Sequence, residues 1–151
     1  RSQYFPLLKL ATKEDPNNDR EAHYYARELM FYGHWDEAIA EFKRHLALPT
    51  ATWNAERAAS YRFMSRCYWS TRKYKECLES LQEAIKEAPD VREGYVELAQ
   101  YYRAFGHWKE CKEACLNALA IKERPISYIN EPFAWSDWPQ QMLDEANTHL
   151  L

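Results

Sequence analysis

The tripeptide Gly-His-Trp occurs twice, at Gly33-His34-Trp35 and Gly106-His107-Trp108, and it exposes a repeat that runs through most of the chain. A later pair of segments aligns at an interval of 34 residues: Tyr61 with Tyr95, Tyr68 with Tyr102, Tyr74 with Trp108, Cys77 with Cys111, and Ala84 with Ala118. An earlier segment aligns at an interval of 39, with Gly33 on Arg72, Trp35 on Tyr74, Ala38 on Cys77 and Phe42 on Leu81. The five extra residues fall in Leu48-Pro49-Thr50-Ala51-Thr52-Trp53, a lengthened loop between repeats. A fixed period of this size means tandem supersecondary units, each unable to bury its apolar side alone.

Each unit reads as two amphipathic helices joined by a tight turn. In the third, Tyr95, Leu98, Ala99 and Tyr102 recur at helical spacing and mark one buried face. Gly106 follows, free to take a positive φ where that helix ends. Trp108, Cys111, Cys115, Ala118 and Leu119 then mark the buried face of the second helix. Pro6, Pro16, Pro49, Pro89, Pro125, Pro132 and Pro139 all fall at or between helix ends, where a missing N–H costs little.

This layout resembles the tetratricopeptide repeat. That family favours a large apolar residue early in the first helix, a small one near its middle, glycine at the turn, and small–large–small positions in the second helix. Repeat 1 supplies Ala22, Tyr25, Ala26, Leu29, Gly33, Ala38 and Phe42; repeat 2 supplies Tyr61, Met64, Ser65, Tyr68, Cys77, Leu81, Ala84 and Pro89. Two positions depart from the pattern: Arg72 replaces the turn glycine, and His45 stands where a small residue is expected. The resemblance implies an all-α, right-handed superhelical solenoid of three hairpins with N- and C-terminal capping helices. As one domain it divides into an N-terminal helix and turn (1–18), repeats 1 (19–53), 2 (54–91) and 3 (92–123), a Pro/aromatic loop (124–138) and a capping helix (139–151). Phe5, Leu7, Leu8 and Leu10 suggest the leading helix, closed by Asp15-Pro16-Asn17-Asn18. The 124–138 loop is too rich in proline for a helix and too aromatic for a floppy linker. Ser136 or Asp137 can cap the last helix, whose inner face is Met142, Leu143, Ala146 and Leu150.

Several segments also resemble the C-terminal repeat region of bacterial family 2 glycosyltransferases. They are Lys13-Glu14-Asp15-Pro16-Asn17-Asn18-Asp19, Tyr24-Tyr25-Ala26-Arg27-Glu28-Leu29, Glu56-Arg57-Ala58-Ala59-Ser60, and Glu123-Arg124-Pro125 through Asn130-Glu131-Pro132 with Ala134-Trp135 and Trp138-Pro139. In that family a catalytic sugar-nucleotide domain with an acidic metal-binding motif precedes the repeats. This second resemblance implies a non-catalytic accessory or oligomerisation region of a longer enzyme.

In tetratricopeptide stacks the first helix of each hairpin lines a concave groove. Carried over position by position, the groove-facing residues are Arg20, His23, Arg27 and Met30 in repeat 1, Ala59, Arg62, Arg66 and Trp69 in repeat 2, and Glu93, Val96, Gln100 and Arg103 in repeat 3; Ala59, Glu93 and Val96 apart, these are the candidate binding residues. Arginine forks suit carboxylate or phosphate, and Trp69 offers a stacking surface beside them. The function this implies is binding of a protein or peptide segment, acidic in character. The same arginines could instead pair with Glu28, Glu56, Glu93 and Glu97 on neighbouring helices.

Other classes find little footing. With 20 Lys+Arg against 23 Asp+Glu, the net charge of -3 gives no pull toward nucleic acid or an anionic membrane. No apolar stretch approaches the roughly 20 residues that span a bilayer. Only three glycines are present, which argues against a phosphate-cradling loop. Cys67, Cys77, Cys111 and Cys115 lack the C-x-x-C spacing of structural zinc and read as small buried hydrophobes in a reducing compartment, hence a cytoplasmic location. No serine, cysteine or histidine arrangement suggests a nucleophile, so no catalysis and no cofactor are expected. The start, Arg1-Ser2-Gln3-Tyr4, has no signal-peptide layout and no initiating Met, as for a piece of a longer protein. Self-association through the end of the stack is a further expected partnership.

Overall fold

A turn at Gly33 shows how the hairpins are made. The helix before it ends with the N–H of His34 bonded to the carbonyl of Leu29 (2.9 Å) and that of Gly33 to Met30 (3.0 Å). This paired closure demands a left-handed residue at the turn, and Gly33 supplies it at φ 78°. The same two bonds recur at Lys73 to Tyr68 (2.8 Å) with Arg72 to Trp69 (3.1 Å), and at His107 to Tyr102 (2.9 Å) with Gly106 to Arg103 (3.1 Å). Gly106 has φ 70° and Arg72 has φ 61°. Arg72 therefore carries the backbone strain that glycine avoids at the other two turns.

The structure is a computed structural model that describes residues 4–151, with side chains from Pro6 onward. The readings of Arg1-Ser2-Gln3 and of the Phe5 side chain lie outside the described residues. The described residues are all-α: α1 (Tyr4–Glu14), α2 (Asp19–Phe31), α3 (Trp35–Ala47), α4 (Asn54–Ser70), α5 (Tyr74–Glu87), α6 (Arg92–Ala104), α7 (Trp108–Ala120), α8 (Pro132–Trp135) and α9 (Trp138–His149). These are tandem hairpins, α2–α3, α4–α5 and α6–α7, with helices at either end. Compactness divides the chain within α5 into an N-terminal unit ending at Ser80 and a C-terminal unit, Leu81–Leu151.

In the N-terminal unit α1 packs on α2, α2 on α3, and α4 on both. Asn18 caps α2 by accepting the Glu21 N–H at 3.0 Å. The lengthened loop after α3 is pinned by Arg57, whose Nη1 donates to the carbonyls of Leu46 (2.9 Å) and Ala51 (3.1 Å). Ala22, Tyr25, Ala26, Leu29, Ala38 and Phe42 are buried, as the repeat register requires.

In the C-terminal unit α9 packs against α6 and α7 and closes their apolar side. Val96, Ala99, Cys111, Ala114, Cys115 and Ala118 meet Met142, Leu143 and Ala146 in one core, with Tyr95, Leu98, Tyr102 and Trp108 packed on its rim. The Trp108 ring stacks on His149 at 4.0 Å with an interplanar angle of 4°. Asp137 holds the N-cap position of α9 without a side-chain cap bond, and Ser136, one residue before it, accepts the Trp138 N–H on its Oγ at 3.2 Å. Leu150 is exposed, not part of the inner face, because α9 ends at His149. The Pro/aromatic loop also holds one helical turn that proline content argued against. Pro132 sits at the start of α8, where its missing N–H has no partner to lose.

Candidate functional site

The expected groove residues separate by burial. Arg20 keeps most of its side chain in solvent; its guanidinium lies 5.9 Å over Trp53, and its Nε is 4.0 Å from Oε2 of Glu56. Arg27 is half-buried over Tyr24 at 5.1 Å, and Arg66 is half-buried over Phe63 at 4.8 Å. Trp69 is exposed, with an edge-on contact to Tyr74 at 4.9 Å. Several expected surface residues are instead interior: His23, Met30 and Arg62 are at 0%, 5% and 3% exposure, and Ala59, Glu93 and Val96 are buried too. Arg62 fails as a groove cation because α4 buries residues on nearly every side, from Glu56 to Tyr68. In the C-terminal unit Gln100 is half-buried. Arg103 bonds Glu145 on α9 at 2.8 Å and lies 5.2 Å over Trp138, so it anchors the capping helix.

The side chains that converge most closely form a buried polar chain across α2, α3 and α4. Nδ1 of His23 lies 2.7 Å from Oγ of Ser60, and that oxygen lies 2.8 Å from Nδ1 of His45. Nε2 of His45 then meets Oε1 of Glu56 at 3.2 Å. All four side chains are closed to water. The carboxylate only accepts, so His45 carries its proton on Nε2. With the ring neutral, its Nδ1 accepts from the Ser60 hydroxyl, which in turn accepts from Nδ1–H of His23. This direction leaves one loose end, a bare lone pair on Nε2 of His23, and that atom has no hydrogen-bond partner among the described residues. Burial pushes the His23 pKa down to about 3, with the positive charges of Arg27 and Arg62 assisting and Glu56 opposing.

Ser60, His45 and Glu56 thus have the connectivity of an activated nucleophile, a constellation that sequence reasoning missed. Chemistry does not follow. Ser60 sits mid-helix at 0% exposure, out of reach of a substrate, and the neighbouring N–H groups are spent inside α4. The signal available in the sequence was His45 itself, the large polar residue at a small-residue position. Glu56 and Ser60 lie one helical turn apart on the facing helix.

Asp19, at the start of α2, brings a second carboxylate to the Glu56 end of this polar chain. One ligand atom each from Asp19, His45 and Glu56 lie within 4.8 Å of one another. Nearby, Leu7, Leu8, Ala11, Asn18, Arg20, Glu21 and Tyr24 line a depression of about 440 Å³ between α1 and α2. In the C-terminal unit, Arg92 donates to the carbonyl of Ile121 at 2.7 Å and stacks over Trp135 at 4.7 Å. Nε1 of Trp135 donates to Oε1 of Glu93 at 2.7 Å. These contacts fix the Pro/aromatic loop against the start of α6. All four cysteines are buried as free thiols. Burial pushes Cys67 up to about 12, which leaves it protonated and unreactive.

No family model matches the chain, and no curated protein matches it. Solved structures do. A crystal structure of MamA protein is 21% identical, with a TM-score of 0.66 over 97% of this chain and 76% of that one. MamA from Desulfovibrio magneticus RS-1 is 16% identical, with a TM-score of 0.65 over 99% of this chain and 81% of that one. The resemblance to glycosyltransferase repeat regions finds no support in these comparisons. What they establish is the fold: the chain is built like MamA, a helical-repeat protein of tetratricopeptide type.

Proposed function

We propose that the chain is a protein-interaction scaffold whose N-terminal unit binds an acidic peptide segment through Arg27, Arg66 and Trp69. The observation that carries this reading is the pairing of Arg27 and Arg66. They occupy the same register position, 39 residues apart, on α2 and α4, the first helices of consecutive hairpins. Each guanidinium lies over an aromatic face, Tyr24 at 5.1 Å and Phe63 at 4.8 Å. Stacking holds a guanidinium by its face; its N–H edge is the part that grips a carboxylate. Trp69, exposed one turn beyond Arg66, adds a surface for an apolar or aromatic side chain.

The test is a fluorescence-anisotropy titration of acidic and neutral peptides of equal length. The acidic peptide binds tighter, weakens with added salt, and loses at least about tenfold in affinity with Arg27→Gln/Arg66→Gln, as expected for charge-assisted contacts. Equal weak binding of both peptides, unchanged in the double variant, removes the proposal.

A further inference from the structure

We propose that Asp19, His45 and Glu56 bind one divalent transition-metal ion of the zinc class, clamping α2, α3 and α4 of the N-terminal unit together.

An imidazole nitrogen with two carboxylates suits zinc and its neighbours, whereas all-oxygen sets suit magnesium or calcium. The charges also match, because two carboxylates and a neutral ring cancel a divalent ion. Geometry agrees. Two ligands bound to one tetrahedral ion at about 2.0–2.1 Å stand about 3.4 Å apart. Nε2 of His45 and Oε1 of Glu56 already stand 3.2 Å apart. Asp19, with its ligand atom within 4.8 Å of the other two, closes the set by a side-chain rotation. It is half-exposed and lies at the solvent side, so the site has an entrance and a position for water.

His45 is oriented as metal-binding histidines are. Its other nitrogen, Nδ1, is held by the Ser60 hydroxyl at 2.8 Å, and the ring is at 0% exposure. The buried pair is therefore preorganised, its desolvation already met by the fold. Nε of Arg20 lies 4.0 Å from Oε2 of Glu56. This side chain is mostly exposed and can swing into solvent when an ion takes that place.

Binding reverses the polar chain. The metal needs the Nε2 lone pair of His45, so the proton there leaves to solvent. Nδ1 of His45 takes the Ser60 proton, Ser60 takes the Nδ1 proton of His23, and Nε2 of His23 takes a proton from solvent. The count balances, and each histidine remains neutral in the other tautomer.

The test uses the whole chain. Calorimetric titration with zinc chloride should saturate at one ion per chain. Asp19→Asn, at a half-exposed site where folding is kept, should weaken binding by about tenfold or more. Nitrogen-15 spectra of the wild type should show the His45 ring exchanging its protonated nitrogen on zinc addition, a readout that requires no buried substitution. Failure of zinc to saturate, unchanged affinity in Asp19→Asn, or an unmoved His45 ring overturns the proposal.

Discussion

Nε2 of His45 and Oε1 of Glu56 lie 3.2 Å apart in a region where both side chains are almost wholly closed to water. Removing the donor of a buried hydrogen bond strands its acceptor. His45→Ala leaves the Glu56 carboxylate without its ring donor, and the cost is about 1–3 kcal/mol. Glu56→Gln keeps an acceptor for Nε2–H and costs less. Urea unfolding of both variants checks the order. Equal, small losses would mean that the pair is hydrated.

The buried His23 sets an acid limit on stability. Its pKa is lowered from 6.5 to about 3 by burial, so it stabilises the fold only while neutral. The unfolded chain takes up the proton first. The contribution is therefore complete above about pH 6.5 and is lost as pH falls toward 3. Over the first one and a half pH units this amounts to about 2 kcal/mol. Denaturation midpoints at pH 7 and 5 measure it, and His23→Gln should flatten that slope.

Arg72 occupies a left-handed turn, φ 61°, at the position that Gly33 and Gly106 fill in the other hairpins. Arg72→Gly relieves about 1–2 kcal/mol of backbone strain and gives back about 0.5–1 kcal/mol of chain entropy. The expected outcome is a gain of up to about 1.5 kcal/mol, read as a higher melting temperature. A loss would mean that the Arg72 side chain contributes more than its backbone costs.

The C-terminal unit depends on α9. Met142 is at 0% exposure in the core with Cys111 and Cys115, and Met142→Ala should cost about 2–5 kcal/mol. The Arg103–Glu145 pair joins the same helix to α6, but both side chains are more than a third exposed. Arg103→Ala should then cost under about 1 kcal/mol. Comparable losses in the two variants would reverse the roles assigned to packing and to charge.

The repeat was readable in the sequence because its signals are local. A left-handed turn selects glycine or tolerates one strained residue, and the 34- and 39-residue intervals land on Gly33, Arg72 and Gly106. Prolines mark the helix ends for the same reason. What was not readable depends on three helices meeting. His23 and Arg62 look like surface residues by polarity, and only the packing of α2, α3 and α4 makes them interior. The four-residue α8 was hidden because a proline at its first position looks like a breaker. His45 stands out in the sequence as a departure from the repeat, but its partners Ser60 and Glu56 come from another hairpin, 15 and 11 residues away.

The most direct test of the scaffold reading is an NMR titration of the intact chain with an acidic peptide, following the six tryptophan indole N–H resonances. Saturable movement of Trp69, with the Nε–H signals of Arg27 and Arg66 and without Trp108 or Trp135, is the predicted result. Binding that moves Trp108 or Trp135 and leaves Trp69 in place would contradict it.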